Sequence, residues 1–368
     1  MSRDMPHNPS DYLGQLGWGP FFEEHFQSLK TEGSIPARVV SESKGSFQVY
    51  CRYGELRAKV SGKMRYQSDR ENRFPAVGDW VAIEPQAGEG KGVIHAVLPR
   101  NSRFSRKVAG GRTEEQVVAA NVDTVFIVSG LDGGRNFNLR RMERYLTLAQ
   151  NSGAPPVMVL NKLDLYPDVR EYIEKVEAIA TGVPIHAVSA KERTGLDALT
   201  GYVTRGKTAA FLGSSGVGKS ALINALLGAE RQGTGEVRQY DRTGRHTTTR
   251  RELFLLPGGG AVIDTSGMRE IQMWASEDDL QSSFNEVAVL AGKCRFRDCT
   301  HNNEPGCAVI EAIERGALEA GRLESFRKLQ NEVRYIASRE EHSTRLLEKA
   351  KWKKISKWSK QLRKRTDQ

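Results

Sequence analysis

A glycine-rich segment, Gly213-Ser-Ser-Gly-Val-Gly-Lys219-Ser220, holds the residues best suited to chemistry in this chain. An apolar run precedes the segment and a helical pattern follows it, which is the setting in which such a loop binds phosphate. Backbone N–H groups of the loop and the helix N-terminus would surround phosphate oxygens. Lys219 is predicted to bind the β- and γ-phosphates and Ser220 to bind Mg²⁺. The predicted phosphate contacts are Gly213, Ser214, Ser215, Gly216, Val217, Gly218, Lys219, Ser220 and Ala221.

A second segment, Asn161-Lys162-Leu163-Asp164, predicts which base the nucleotide carries. A carboxylate at Asp164 can accept hydrogen bonds from the guanine N1–H and N2 amino groups. Adenine lacks both donors and would leave the carboxylate unpaired, which carries a large penalty. Ser189-Ala190-Lys191 is predicted to complete the pocket with a backbone N–H directed at guanine O6. The base contacts are therefore predicted to be Asn161, Lys162, Leu163, Asp164, Ser189, Ala190 and Lys191.

Two further segments predict the switch regions of a nucleotide hydrolase. Asp264-Thr-Ser-Gly267 ends an apolar run, so Asp264 is predicted to hold Mg²⁺ through water and Gly267 to contact the γ-phosphate. Thr247, Thr248 and Thr249 lie in a polar segment before it, with Thr248 and Thr249 as catalytic candidates. One of the threonines is expected to bind Mg²⁺ only while the γ-phosphate is present. The sequence does not choose among them.

Met268 occupies the position where many GTPases carry a glutamine that orients the attacking water. Methionine cannot orient water, so another group of this chain or of a partner must do so. His246, beside the threonines, is the candidate within the chain. An alternative is a protein that binds GTP only as a structural ligand.

Three cysteines and a histidine, Cys294-x4-Cys299-x-His301-x5-Cys307, are clustered near the C-terminus. Three thiolates and one imidazole form a closed tetrahedral set for Zn²⁺, and four protein ligands leave no open position for catalysis. A structural zinc is predicted, and reduced cysteines without a metal are the alternative. Cys51 stands apart and is expected to be a buried apolar residue.

The elements that position these residues occur in an unusual order, because the base-reading segment precedes the phosphate loop. This order predicts a circularly permuted nucleotide-binding domain over residues 117–275. Strands alternate with helices there, which indicates a doubly wound, mostly parallel sheet with its ligand loops at the carboxyl ends of the strands. Residues 276–340 are predicted to form a mostly helical zinc domain, and residues 341–368 a basic tail.

The N-terminal part predicts a small β-barrel over residues 35–100, with strands at 37–41, 46–52, 55–60, 79–84 and 92–97. Residues 1–34 are expected to be an irregular extension with one short helix near 20–29, and residues 101–116 a basic linker. Basic and aromatic residues on a small barrel suit a nucleic-acid surface. They are Arg52, Arg57, Lys59, Lys63, Arg65, Arg70 and Arg73 with Phe47, Tyr50, Tyr53 and Tyr66.

Composition limits the class of protein. The 368 residues carry a formal net charge of +10, which favours a polyanionic partner. The chain has neither an apolar run long enough to span a membrane nor the basic start and apolar core of a secretory signal. A cytoplasmic protein without a membrane partner is expected.

These motifs together resemble the ribosome small-subunit-dependent GTPase A family, also called RsgA, YjeQ or EngC. The resemblance covers residues 35–335 and rests on VGDWV, LPRNSRFSRK, NKLD, SAK, GSSGVGKS, GRHTTT, DTSGMRE and the Cys/His cluster. It implies an OB-fold barrel, a permuted GTPase domain and a zinc domain with Zn²⁺ on Cys294, Cys299, His301 and Cys307. Ser266 departs from the usual proline of the DTPG or DSPG motif.

The resemblance also implies a function. The expected activity is GTP hydrolysis, stimulated by the small (30S) ribosomal subunit, late in the assembly of that subunit, with hydrolysis coupled to release. The expected partners are the subunit, its rRNA, GTP and GDP, with Mg²⁺ and one Zn²⁺ as cofactors, and the chain is expected to be a monomer. The rival interpretations are a non-catalytic, GTP-dependent RNA-binding scaffold and a GTPase acting on another RNA.

Overall fold

The structure is a computed structural model that describes residues 9–29, 31–43, 45–71, 74–86, 88–107, 115–132, 136–166, 168–229, 251–264, 277–302, 304–335 and 338. These residues form two compact units. The first comprises the described residues within Met1–Ser105 and Val117–Ile271, and the second those within Arg106–Gln116 and Gln272–Gln368. In the described part of the chain, no helix is both long and apolar enough to cross a membrane.

The first unit contains the predicted barrel. Its strands are β1 (Ile35–Ser43), β2 (Ser46–Cys51), β3 (Gly54–Val60), β4 (Trp80–Gln86) and β5 (Lys91–Val97). They pair in the order β1-β2-β3-β5-β4, and β4 also pairs with β1, so the barrel closes. Its interior is filled by buried apolar side chains, among them Val39, Val49, Ala58, Ile83 and Ile94. The predicted OB-type barrel is confirmed, with a helix between β3 and β4, α3 (Gly62–Glu71), that the sequence did not predict.

The N-terminal extension contains two helices, α1 (Pro9–Gln15) and α2 (Pro20–Ser28). The predicted helix near 20–29 is confirmed as α2, whereas α1 was not predicted. The rings of Trp18 and Phe22 contact Trp80 of β4, at centroid distances of 4.7 and 5.8 Å. Burial of these aromatic rings, which carry large apolar surfaces, holds the extension on the barrel.

Arg38 joins three segments of the first unit. Its buried guanidinium donates to the carbonyl of Leu16, to that of Gly78 at 3.2 Å and to that of Asn121 at 3.0 Å. Burial lowers the pKa of Arg38 to about 10, against the raising effect of the Asp123 and Asp79 carboxylates. The bonds to three carbonyls compensate for removing this charge from water.

The predicted linker, 101–116, contains β6 (Arg103–Lys107) and the start of β7 (Glu115–Ala120), so its description as a linker was wrong. These strands form a separate two-stranded sheet. Phe104 is buried. Strand β6 was not predicted because its residues are mostly polar and Phe104 is its single large apolar side chain.

The α/β part of the first unit follows the predicted alternation. Its elements are β8 (Thr124–Gly130), α4 (Leu139–Ser152), β9 (Pro156–Asn161), α5 (Arg170–Glu177), β10 (Ile185–Val188), α6 (Leu196–Thr200), β11 (Thr208–Gly213), α7 (Lys219–Leu227), β12 (Glu252–Leu255) and β13 (Ala261–Asp264). The strand order is β10-β9-β8-β11-β13-β12. All neighbours are parallel except β12, which runs antiparallel to β13. The carboxyl ends of the parallel strands therefore meet at one edge, as predicted.

The barrel and the α/β sheet are continuous. Strand β1 pairs with β12 through Ser41 and Glu252, so the two sets of strands form one 11-stranded sheet. Strand β12 is the first described element after residues 230–250, which include the predicted Thr247–Thr249 segment.

The second unit is helical, with α8 (Glu277–Ser283), α9 (Asn285–Ala291), α10 (Ala308–Glu314) and α11 (residues 320–335). Phe284 and Phe326 are buried against each other at a centroid distance of 5.6 Å. The guanidinium of Arg322 lies 4.0 Å from the Phe284 ring and bonds Glu286 at 2.5 Å. The predicted mostly helical C-terminal domain is confirmed for these residues, and the predicted basic tail lies outside the described residues.

Candidate functional site

The phosphate loop connects β11 to α7 through glycines in the left-handed region. Gly216 and Gly218 have φ angles of 82° and 95°. A Cβ atom added at Gly218 would lie 2.2 Å from the Nδ2 atom of Asn161, and one added at Gly213 would lie 2.5 Å from the carbonyl oxygen of Val128. Both the φ angles and these close approaches require glycine.

Polar groups converge on this loop. The Lys219 ammonium donates to the carbonyls of Gly213 and Ser214, each at 2.7 Å. The Ser214 hydroxyl accepts from Arg141 of α4 at 2.6 Å. Ser220 and Ala221 lie in the first turn of α7. The loop therefore has the strand, glycines, lysine and helix N-terminus that phosphate binding requires.

Asn161 connects three of the predicted binding segments. Its side chain is buried, donates from Nδ2 to the Val217 carbonyl at 2.9 Å and accepts at Oδ1 from the Ala190 N–H at 3.0 Å. One amide thus holds the phosphate loop, the Asn161–Asp164 segment and the Ser189–Lys191 segment together. The structure brings the predicted base and phosphate residues into one site.

Asp164 is already oriented by its neighbours. Its side chain is 12% exposed, and Oδ1 accepts from the Ser189 hydroxyl at 2.6 Å. The Ser189 oxygen in turn accepts from the Glu192 N–H at 3.0 Å, and the Lys191 ammonium lies 4.0 Å from Asp164 Oδ2. Leu163 begins a 3₁₀ turn that carries Asp164. A carboxylate held in this way can pair with two adjacent N–H donors of one base.

Asp132 and Asn136 also belong to the site, although the sequence motifs did not indicate them. Asp132 follows β8, and its Oδ2 accepts from the Lys162 ammonium at 2.8 Å. Burial alone would raise the pKa of Asp132, but hydrogen bonds from Lys162 and Asn136 lower it below its ordinary value. The sequence signal for Asp132 was its position just after the apolar strand β8, but its pairing with Lys162 depends on β8 lying beside β9 in the sheet.

The predicted magnesium ligands come from neighbouring strands. Asp264 is the last residue of β13 and is buried, and β13 is the parallel neighbour of β11, which leads to Ser220. Both residues therefore lie at the same edge of the sheet. His246, Thr247, Thr248, Thr249, Ser266, Gly267 and Met268 lie outside the described residues, so their roles stay predictions.

The second unit brings the four predicted metal ligands together. The ligand atoms of Cys294, Cys299, His301 and Cys307 all lie within 4.8 Å of one another. His301 Nδ1 is 3.5 Å from the Cys294 sulfur and 3.4 Å from the Cys307 sulfur, and these sulfurs are 3.9 Å apart. Tetrahedral zinc with ordinary Zn–S and Zn–N bonds separates its ligands by roughly 3.5–3.8 Å. The spacing among Cys294, His301 and Cys307 therefore fits one zinc ion, and the Cys299 sulfur lies within 4.8 Å of all three.

Charged side chains fix the loop that carries these ligands. Glu304 accepts from the N–H groups of Thr300 and Asn302, at 2.9 and 2.8 Å. Hydrogen bonds from the Thr300 side chain and backbone lower the pKa of Glu304 to about 2. Arg327 of α11 donates to the carbonyl of His301, which has a φ of 59°. The ligand loop is thus held at several backbone positions.

The barrel surface only partly matches the predicted nucleic-acid face. Phe47 and Tyr50 are both buried, so the prediction that they contact nucleic acid was wrong. Phe47 belongs to the barrel core, and Tyr50, on the opposite face of β2, packs against the ring of Tyr12 in α1 at a centroid distance of 6.0 Å. The exposed residues of the predicted set are Arg52, Tyr53, Arg57, Lys59, Lys63, Arg65 and Tyr66. The side chains of Arg70 and Arg73 lie outside those that the structure describes.

A family model for the RsgA GTPase matches residues 97–274. The small ribosomal subunit biogenesis GTPase RsgA of Opitutus terrae is 47% identical over 352 residues, which cover 93% of this chain and 95% of that protein. The chain belongs to the RsgA GTPase family. Another relative, from Syntrophotalea carbinolica, is 42% identical over 95% of this chain and 98% of its own length.

Solved structures agree with this family. The crystal structure of YjeQ from Thermotoga maritima is 31% identical, has a TM-score of 0.60, and matches 82% of this chain and 98% of its own. The structure of YloQ, described as a circularly permuted GTPase, is 21% identical with a TM-score of 0.57 over 83% of this chain and 96% of its own. The second likeness shows the fold, and that fold is the permuted one predicted from the order of the motifs.

Proposed function

We propose that this RsgA-family chain hydrolyses GTP in the biogenesis of the small ribosomal subunit, and that the subunit stimulates hydrolysis. The observation that carries the nucleotide part is the contact of Asn161 with both Val217 and Ala190, which joins a phosphate loop to a guanine pocket. The relatives that match most of the chain are named small ribosomal subunit biogenesis GTPases. That name, together with the net charge of +10, supports the ribosomal partner.

The residues take distinct roles in the proposed reaction. Asp164 binds the guanine N1–H and N2 groups, while Lys219 and the loop N–H groups neutralise charge that develops on the phosphates. Mg²⁺ would be held by Ser220 and, through water, by Asp264. The hydroxyl and carboxyl oxygens of these two residues suit that cation. Gly267 is proposed to contact the γ-phosphate, and His246 or ribosomal RNA to orient the water.

We propose that the barrel contacts ribosomal RNA and that the second unit holds a zinc ion. The exposed Arg57, Lys59 and Arg65 on the barrel support contact with phosphates.

Four ligands leave no open position on zinc, so the ion would stabilise the loop and would not take part in hydrolysis. The carboxylate of Glu304 and the guanidinium of Arg327 hold the backbone between the ligands.

The test is GTP turnover by the full chain with and without purified small subunits. Subunits are expected to raise turnover by about 10-fold or more, because contact with RNA would position the group that orients the attacking water. Lys219→Ala should abolish turnover in both conditions. Lys175→Ala, which removes an exposed lysine paired with Glu171 on α5, is the matched control and should keep the stimulation. Equal turnover with and without subunits would contradict the proposal.

A further inference from the structure

The two residues found beside the guanine pocket, Asp132 and Asn136, contact a base-reading residue without belonging to a motif. The ammonium of Lys162 is 2.8 Å from Asp132 Oδ2, and the two side chains are 26% and 14% exposed. This ion pair is more shielded than most surface pairs, which contribute little. It nevertheless lies at the ligand edge of the sheet, and not in the core.

Asp132 is itself held in place. Its Oδ1 accepts from the Asn136 N–H at 3.0 Å, and its Oδ2 also accepts from the Asn136 side chain. The Asn136 carbonyl accepts from the Ser129 hydroxyl at 2.9 Å, which ties the pair to the end of β8. The carboxylate therefore presents a fixed acceptor to Lys162.

The same segment contacts the base-reading loop at a second place. The ring of Phe137 meets that of Tyr172 at a centroid distance of 4.7 Å, and Tyr172 meets Tyr166 at 5.4 Å. Tyr166 ends the 3₁₀ turn that carries Asp164. Ionic and aromatic contacts thus hold both ends of the loop between Asn161 and Tyr166.

Lys162 needs such support. Its φ is 71°, a left-handed conformation that a residue with a side chain keeps only when its surroundings impose it. Its flexible side chain would otherwise lose conformational freedom when a ligand binds.

We propose that Asp132 is a positioning residue that holds the Lys162 side chain in its base-contacting orientation before guanine nucleotide binds. The inference rests on the proposed function, because it assumes that the stem of Lys162 lies along guanine. Preorganisation raises affinity by lowering the entropy cost of binding. Asp132 acts before the chemical step, so its loss should change nucleotide binding far more than turnover.

The test compares Asp132→Asn with the wild-type chain, using fluorescent GDP and a non-hydrolysable GTP analogue. Loss of the charge should raise the Kd for both nucleotides by about 10-fold, which is the size expected for one bond to a charged group. KM should rise by a similar factor, and kcat should fall far less. Asp168→Asn is the matched control, since Asp168 pairs with Arg170 on the exposed side of the same region, and its Kd should match wild type.

A double-mutant cycle with Lys162→Met separates positioning from general destabilisation. The Kd of the double variant should equal that of Lys162→Met alone, because Asp132 has no lysine left to position. Asp132→Glu keeps a carboxylate and should bind both nucleotides more tightly than Asp132→Asn. If the Asp132→Asn protein does not fold, the cycle is run with Asp132→Glu. Additive effects, or an unchanged Kd in Asp132→Asn, would overturn this inference. A wild-type chain that bound neither nucleotide would instead refute the proposed function.

Discussion

At the scale of single residues, Asn161 shows how a base-recognition motif also serves architecture. Its side-chain amide donates to the Val217 carbonyl and accepts from the Ala190 N–H, so both its nitrogen and its oxygen bond protein groups. The motif predicted that Asn161 belongs to the site, because strand ends and motif spacing are visible in sequence. Asp132 was not predictable in the same way, since its partner Lys162 becomes a neighbour only when β8 and β9 pair.

Gly218 gives a prediction about this junction. Gly218→Ala should prevent nucleotide binding, because the new Cβ would lie 2.2 Å from Asn161 Nδ2 and would force the phosphate loop away. Gly228→Ala is the matched control, since Gly228 ends the same helix with a φ of 65° and has open space around its Cβ position. Both variants should lose about 1–2 kcal/mol of stability from placing a residue with a Cβ atom in the left-handed region. Calorimetric titration with GDP should detect binding only in Gly228→Ala, and equal binding by both variants would contradict the steric argument.

Asp164 gives a prediction about base choice. Asp164→Asn should shift preference from guanine toward xanthine nucleotides, because xanthine carries an oxygen at position 2 that can accept from the new amide. Wild type pairs a carboxylate with two guanine donors, and loss of that pairing should weaken GTP binding by at least 10-fold. Competition between GTP and XTP for a fluorescent nucleotide measures the change. An unchanged preference for GTP would show that Asp164 does not read the base.

At the scale of elements, strands of the α/β part were predictable because apolar strands alternate regularly with helices. The helix α3 was not predictable, because its sequence is mostly polar. The Pro156–Asn161 strand is a continuous buried run that ends in the base motif. In contrast, Gly62–Glu71 is strongly polar, and within residues 62–66, whose side chains the structure describes, Met64 alone is buried. A helix with so small an apolar face depends on the barrel it covers, and propensity alone does not reveal it.

The loop between α9 and α10 gives a prediction about the metal. The helices α8, α9 and α10 have 7 residues each, which is short for a helix to be stable alone. Zinc is therefore expected to supply much of the stability of the second unit. Cys307→Ala should lose the ion and raise hydrogen exchange in α9 and α10, as native mass spectrometry and exchange measurements would show.

Cys51→Ala is the control for this experiment, because Cys51 is buried in the barrel and belongs to the first unit. It should retain one zinc per chain. GDP binding should survive in Cys307→Ala, since the nucleotide residues lie in the first unit. Full zinc occupancy in Cys307→Ala would show that the cluster is not the metal site.

At the scale of the whole molecule, the pairing of β1 with β12 joins the barrel to the permuted nucleotide-binding domain. The barrel strand β1 continues the sheet directly beside the strand that follows residues 230–250. Sequence order could not show this contact, because Ser41 and Glu252 are far apart in the chain and the pairing depends on tertiary structure. The barrel is thus joined by backbone pairing to β12, the strand that follows the predicted threonines in the chain.

The charge of the whole chain leads to the last prediction. With a net charge of +10 and exposed basic residues on the barrel, affinity for small subunits should fall steeply as salt rises, because binding releases counterions. Lys59→Glu on β3 should weaken binding and reduce the log–log salt slope by about 1 for a lost phosphate contact. Lys175→Glu on α5 makes the same change of charge away from the barrel and should leave the slope near that of wild type. Equal slopes for these two variants in sedimentation assays would mean that the subunit does not contact the barrel at Lys59.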